Sequence, residues 1–216
     1  MKILNKFFAI FGLVIGLFAF INPAAAQEAP DALIKRISQE VLEAAKTDKD
    51  IQSGNMKRVL ELVENKVLPH VDFQRMTALA AGRYWRQATP EQQKQLTNEF
   101  RTLLIYTYSG AITQIRDQKL EFKPMRADPS DTEVEVRSQV LQPRGGDPIQ
   151  LNYRLAKEAS GWKIYDVNVL GAWLVETYKG NFASEISKGG IDGLIKTLTE
   201  KNKRLAASAG KNGKTS

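Results

Sequence analysis

The chain holds a single histidine, His70, two residues before Asp72 in the run LPHVDF. An imidazole near a carboxylate is the usual makings of an acid–base pair. A lone loop histidine is more often structural or solvated. Asp166 is the other candidate base, and either would need to face a cavity. With no cysteine and no second histidine, a zinc site cannot be assembled and thiol catalysis is excluded. No Ser–His–Asp arrangement can be argued from the sequence. PRGGDP has two glycines but no strand–glycine–helix setting for a phosphate loop, and reads as a hairpin turn. RADPSDTE carries Asp128, Asp131 and Glu133 without calcium-loop spacing, and reads as a solvated turn. GRYWRQ could offer Arg83 and Arg86 to phosphate oxygens. The favoured reading is a loop anchored by Trp85. The expectation is therefore no catalytic residue, no metal and no cofactor.

The elements around these residues are easier to read. DALIKRISQEVLEAAK places Leu33, Ile34, Ile37, Val41 and Leu42 at helical spacing, and a second stripe runs through Met56, Val59, Leu60, Val63 and Val67 until Pro69 stops it. Asp72 is placed to cap a short helix that Gly82 ends. Thr89, Pro90 and Gln92 form a capping-box start for a helix of nearly thirty residues, with Gly110 as a point of bending. Its stripe is Leu96, Phe100, Leu103, Leu104, Tyr108, Ile112 and Ile115.

Beyond it the period changes to two. Leu120 and Phe122, then Val134, Val136 and Val140, then Ile149, Leu151, Tyr153 and Leu155 alternate with polar residues. This is antiparallel sheet with one face toward water. The fourth strand breaks the pattern. Trp162 and Ile164 share one face, while Tyr165, Val167 and Val169 fall on the other. Two explanations stay open: a second, ligand-facing space bordered by Val167, Val169 and the Gly171–Trp173 turn, or a twisted or bulged strand. Two helical segments follow. The fold class expected is α+β: helices packed on one face of a curved antiparallel sheet of about four strands, with an apolar ligand pocket between them.

Lys2, Lys6, an apolar run of fifteen residues from Phe7 to Ile21, and AAA at 24–26 read as a secretory signal cleaved after Ala26. The run is short of the roughly 20 residues of a spanning helix. Residues 27–202 are read as one domain, and 203–216 as a disordered basic tail. Removing Lys2 and Lys6 from the 31 basic residues leaves 29 against 24 acidic ones, a mildly basic balance. Basic and acidic residues are interspersed, so nucleic acid is not an expected partner.

Several runs stand out: VLPHVDFQRMTALAAGRYWRQATPEQQ, the segment from Phe100 to Ile112 with LL and TYSGAI, YRL and GWKIYDVNVLG at 153–171, then Tyr178, Phe182 and GGIDGLI at 189–195. In order and spacing they resemble the MlaC family of periplasmic phospholipid-binding proteins, also called toluene-tolerance proteins. The likeness covers about residues 30–202. Where the family usually shows Gly–Val–Ser and later Tyr–Arg, this chain has Gly171, Ala172, Trp173 and later Tyr178, Lys179. Trp173 is bulky where the family tends to be small.

The resemblance implies a soluble carrier in the periplasm, shuttling phospholipid between an outer-membrane lipoprotein complex and an inner-membrane ABC transporter with a membrane-anchored substrate-binding subunit. That traffic would maintain outer-membrane lipid asymmetry. Together, resemblance and apolar periodicity suggest a pocket lined by Leu103, Leu104, Tyr108, Val134, Val136, Val140, Leu151, Tyr153, Val167, Val169, Trp173 and Leu174. The alternatives are a carrier of hopanoids or other apolar ligands, a chaperone for acylated proteins, and an enzyme using His70 or Asp166 as base.

Overall fold

A computed structural model of the chain describes residues 27–125, 128 and 130–212. The expected signal segment, part of the RADPSDTE turn and residues 213–216 lie outside them. Six helices and five strands run in the order α1 (Pro30–Thr47), α2 (Lys49–Gln52), α3 (Met56–Lys66), α4 (Phe73–Ala81), α5 (Pro90–Tyr108), β1 (Lys119–Phe122), β2 (Glu133–Leu141), β3 (Ile149–Glu158), β4 (Gly161–Val169), β5 (Ala172–Trp173) and α6 (Leu174–Asn212).

Local chemistry sets the helix ends. Asp48 accepts from the N–H groups of Asp50 and Ile51 at the start of α2, and Asn55 accepts from Arg58 N at the start of α3. Asp72 accepts from Arg75 N at the start of α4, and Gly82 ends that helix with φ 56°. Thr89 and Gln92 complete the capping box of α5. The expected thirty-residue helix is shorter. It stops being α-helical at Tyr108 and continues as a 3-10 turn over Ser109–Gln114, around Gly110. GRYWRQ is likewise a 3-10 turn, and Tyr84 and Trp85 pack partly buried against the helical core.

α6 is helical through Asn212, so residues 203–212, expected to be disordered, continue a helix. Gly190 interrupts it with φ 68° and ψ −171°. The chain reverses there. Phe182 and Tyr178 of the first arm stack edge-on against Phe100 of α5, with ring centroids 5.0 and 4.9 Å apart. In the second arm Asn202 donates to the Glu99 carbonyl, and Gln92 donates to Asp192. Both arms therefore lie against α5. Its buried residues Leu96, Phe100, Leu103 and Leu104 form one core with Met76 and Ala80 of α4 and Leu174, Val175, Ile186, Leu194 and Leu198 of α6.

The strands form a meander in the order β1-β2-β3-β4-β5, all antiparallel. The fifth strand, two residues long, exceeds the four expected. β4 and β5 meet at a two-residue turn, Leu170–Gly171, with φ 54° and 86°, the positive values a primed hairpin turn requires. A second core sits between the sheet and α1, where Leu33, Ile34 and Ile37 meet Val136, Leu155, Trp162 and Ile164. A third joins the end of α1 to α2 and α3 around Ala45, Ile51, Val59 and Val63.

The pairing of β3 with β4 resolves the break in alternation. Leu155 faces Ile164, but the next pair is Arg154 with Asp166, so Tyr165 is an extra residue without a partner. Such a bulge advances one strand by one position and inverts its face pattern. Tyr153 then pairs with Val167, and Leu151 with Val169. Directly paired residues share a face. Trp162, Ile164, Val167 and Val169 therefore all point to the same side, and of the two explanations the bulged strand holds, not a second apolar face.

The bulge falls where the edge of β4 changes partner. Before it, Val71 bridges Ile164 and Asp72 N donates to Ile164 O at 2.8 Å. After it, β5 pairs with Asn168 and Val169. Tyr165 itself turns to the other side. Its ring lies 3.9 Å beneath the Arg75 guanidinium, and its hydroxyl donates to Glu133. Arg75 and Tyr165 together hold the Glu133 carboxyl below the usual carboxylate range.

Candidate functional site

The inner face of the sheet is apolar on four strands. By pairing it carries Leu120 and Phe122, then Val134, Val136, Ser138 and Val140, then Ile149, Leu151, Tyr153 and Leu155, and finally Trp162, Ile164, Val167 and Val169. Its cover is uneven. At one end Val136, Leu155 and Ile164 are 1%, 0% and 4% exposed beneath α1. At the other end Leu120, Val140, Ile149 and Leu151 are half-buried, and among the described residues they pack against none of the three cores. Val167 touches both the sheet core and the helical core, and Val169 touches the helical core. The uncovered strip thus lies beside the seam between sheet and α4–α6.

The expected pocket residues fall into three groups. Val134, Val140, Leu151, Tyr153, Val167 and Val169 share the inner face and are half-buried. Leu103, Leu104, Val136 and Leu174 are 1–7% exposed and belong to the packed cores. Trp173 and Tyr108 are placed differently. Trp173 pairs with Asn168, which faces the opposite side from Val167, and its ring carries the Arg154 guanidinium 3.8 Å away. It therefore does not narrow a space on the inner face, and Ala172 takes the inner register there. Tyr108 is 37% exposed at the end of α5, within hydrogen-bonding reach of Tyr178. Burial, aided by Tyr108, pushes the Tyr178 hydroxyl up to about 12.

Leu120, Phe122 and Ile149 line the same face and were not among the expected residues. Their alternation was visible in the sequence. What was missing was the pairing that sets Leu120 beside Val140 and Val140 beside Ile149. Ser138 was also missed. It is fully buried between valines, and its hydroxyl donates to Leu151 O. The hydroxyl of Tyr153 lies near Ser138 and near Ser38 on α1, and burial raises its pKa.

Asp166, one of the two candidate bases, serves the backbone, and so does Asp72 beside His70, the other. Asp72 caps α4 through Arg75 N. Asp166, 2% exposed, accepts from Val167 N at 2.9 Å and Val175 N at 3.0 Å, which fixes the start of α6. Burial raises its pKa against the pull of those N–H groups and of Arg154, 3.6 Å away. Burial together with Arg36 and Lys163 lowers the pKa of His70. Among the described residues no three histidine, aspartate or glutamate side chains gather as a metal site.

The role of Asp166 is testable. Asp166→Ala leaves two buried N–H groups without an acceptor and costs about 2–4 kcal/mol in urea unfolding. Asp166→Asn keeps an acceptor and costs less. A raised carboxyl pKa contributes stability below the unfolded value of 3.8, and that contribution is lost as pH rises through the folded value. The wild-type advantage over Asp166→Asn should therefore shrink as pH rises through that window. An advantage that grows there would assign the site to the ion pair instead.

Two clefts open elsewhere. One of about 470 Å³ lies along the outer edge of β2 by Met125, Glu133, Glu135 and Arg137, and takes in Val134 alone of the expected residues. The other, about 200 Å³, lies between α3 and α5 and holds the Glu64–Arg101 ion pair. Neither is on the uncovered strip.

The class this arrangement defines is an α+β protein with a helix-roofed antiparallel meander, whose inner face is apolar but for Ser138 and covered at one end. The profile of the family described as MlaC protein matches residues 35–200. The chain belongs to the MlaC family. It is 23% identical over 199 residues to the intermembrane phospholipid transport system binding protein MlaC of Haemophilus influenzae, covering 91% of this chain and 93% of that protein. It is 26% identical over 189 residues to the toluene tolerance protein ttg2D of Pseudomonas putida, covering 87% and 86%. Among solved structures, a phospholipid-binding protein from Ralstonia solanacearum, in complex with a phospholipid, superposes with a TM-score of 0.76. It is 47% identical and covers 82% of this chain and 98% of its own.

Proposed function

We propose that this protein is a soluble periplasmic phospholipid carrier. The observation that carries the proposal is the strip of Leu120, Val140, Ile149 and Leu151, apolar side chains on one sheet face that join none of the cores among the described residues. Apolar side chains on the covered half of the same face are packed beneath α1. A phospholipid bound to a 47% identical protein of the same fold supports acyl chains as the ligand.

The energetics suit a carrier. Burying acyl chain is worth about 0.8 kcal/mol per methylene, so two chains of roughly thirty methylenes together gain about 24 kcal/mol relative to water. A bilayer already offers nearly the same. Transfer between bilayer and protein is a small difference between large terms, and the protein need only shield the chains in transit. Direction would then come from partners: an inner-membrane ABC transporter with its anchored substrate-binding subunit on one side, an outer-membrane lipoprotein complex on the other. No catalytic step is part of this reading. On export the leader would be cleaved after Ala26.

Native mass spectrometry of protein purified without added lipid is expected to show a bound species that organic extraction releases as phospholipid. Protein that is lipid-free and takes up none from phospholipid vesicles would overturn the proposal. Release of a triterpenoid would select the hopanoid alternative.

A further inference from the structure

We propose that Tyr153 is the end wall of the acyl-chain site and sets the longest chain the protein holds. This rests on the lipid-carrier reading and names the residue that gives that site its length selectivity.

Burial changes along the inner rows of β3 and β4 just past the level of Tyr153. On β3 the row runs from half-buried Ile149 and Leu151 through Tyr153 to Leu155, which is 0% exposed. On β4 it runs from half-buried Val169 and Val167 to Ile164, 4% exposed. On β2 the change comes one step earlier: Val140 is half-buried, while Ser138, the partner of Leu151, and Val136, the partner of Tyr153, are 0% and 1% exposed. Past this level Leu33, Ile34 and Ile37 of α1 pack against Leu155, Trp162 and Ile164, while Val134 at the β2 end is half-buried. Tyr153 is the last part-open side chain of the β3 row before that packing, and the largest of that row.

Its ring is also held in place. The hydroxyl is buried beside Ser38 on α1 and Ser138 on β2, and Ser138 donates to Leu151 O. A ring lodged between a helix and the sheet cannot swing aside for a methyl end as a free leucine would. From Tyr153 to Ile149 the strand rises roughly 13 Å. That span is the length of strand along which the end of a chain would lie.

The test is a competition among phosphatidylcholine vesicles with short, medium and long saturated chains, followed by mass spectrometry of what the full-length exported protein retains. Tyr153→Val, which removes the ring and suits a strand, should shift the retained profile to longer chains by about two carbons or more, within the roughly 6.6 Å of one inner-face step. Tyr153→Phe keeps the ring and should keep the wild-type profile. Leu151→Phe fills the neighbouring position on the open side and should shift the profile to shorter chains. It decides the matter if Tyr153→Val does not fold. Unchanged profiles in the folded variants overturn the proposal. A wild-type protein that retains no lipid of any length instead overturns the carrier reading.

Discussion

Phe100→Ala is expected to lower the unfolding free energy by about 3–5 kcal/mol, the range for truncating a buried aromatic. Phe100 is 0% exposed and meets both Tyr178 and Phe182 edge-on, within a core shared by α4, α5 and both arms of α6. Removing it leaves a cavity that three helices must close at once. Against a total stability of about 5–15 kcal/mol, that is a large share. Urea denaturation followed by circular dichroism measures it. A loss under about 1 kcal/mol would mean that the three helices collapse freely around the gap, contrary to the packing described.

The second expected result separates binding from folding on a single sheet face. Leu151→Asp should leave the protein folded and reduce recovered phospholipid by more than about tenfold. An unpaired charge facing acyl chains costs several kcal/mol, and each 1.4 kcal/mol is a factor of ten. Val136→Asp should instead unfold the protein, because Val136 is 1% exposed beneath α1 and a carboxylate there has no route to water. The measurements are lipid extraction for the first and thermal unfolding for the second. If Leu151→Asp unfolds as completely as Val136→Asp, the two ends of the face are one core, and the distinction between covered and open strip fails.

The parts of this architecture set by local chemistry were legible in the sequence. The caps at Asp72 and Thr89, the stop at Gly82 and the strand alternation from Leu120 to Leu155 depend on residues close together in the chain, and the structure has them. What depended on pairing was not legible. The broken alternation after Ile164 is compatible with a bulge or with a second face, and only the pairing of β3 with β4 puts Val167 and Val169 on the side of Ile164. Trp173 was placed in a pocket because its partner across the hairpin, Asn168, and the stacked Arg154 could not be foreseen. The basic segment after Lys201 was read as disordered on composition. Its helix is anchored through Asn202 to Glu99, 103 residues earlier in the chain, which composition does not encode. The site residues divided along the same line: periodicity selected apolar positions, but only tertiary cover decides which of them are core and which are free to meet a ligand.

Tyr165 makes β4 behave like a message with one inserted letter. The strand holds two stretches of opposite parity, and the insertion brings both into phase with the same sheet face. Each half can then be built for its own neighbours, the first for α1 and the second for the α4–α6 helices, without either dictating the other's odd–even choice. Removing that one residue would not trim the strand but shift its frame, turning Val167 and Val169 outward and Asp166 and Asn168 inward. Length, ordinarily the most forgiving property of a strand next to a turn, is here the property on which an apolar lining depends.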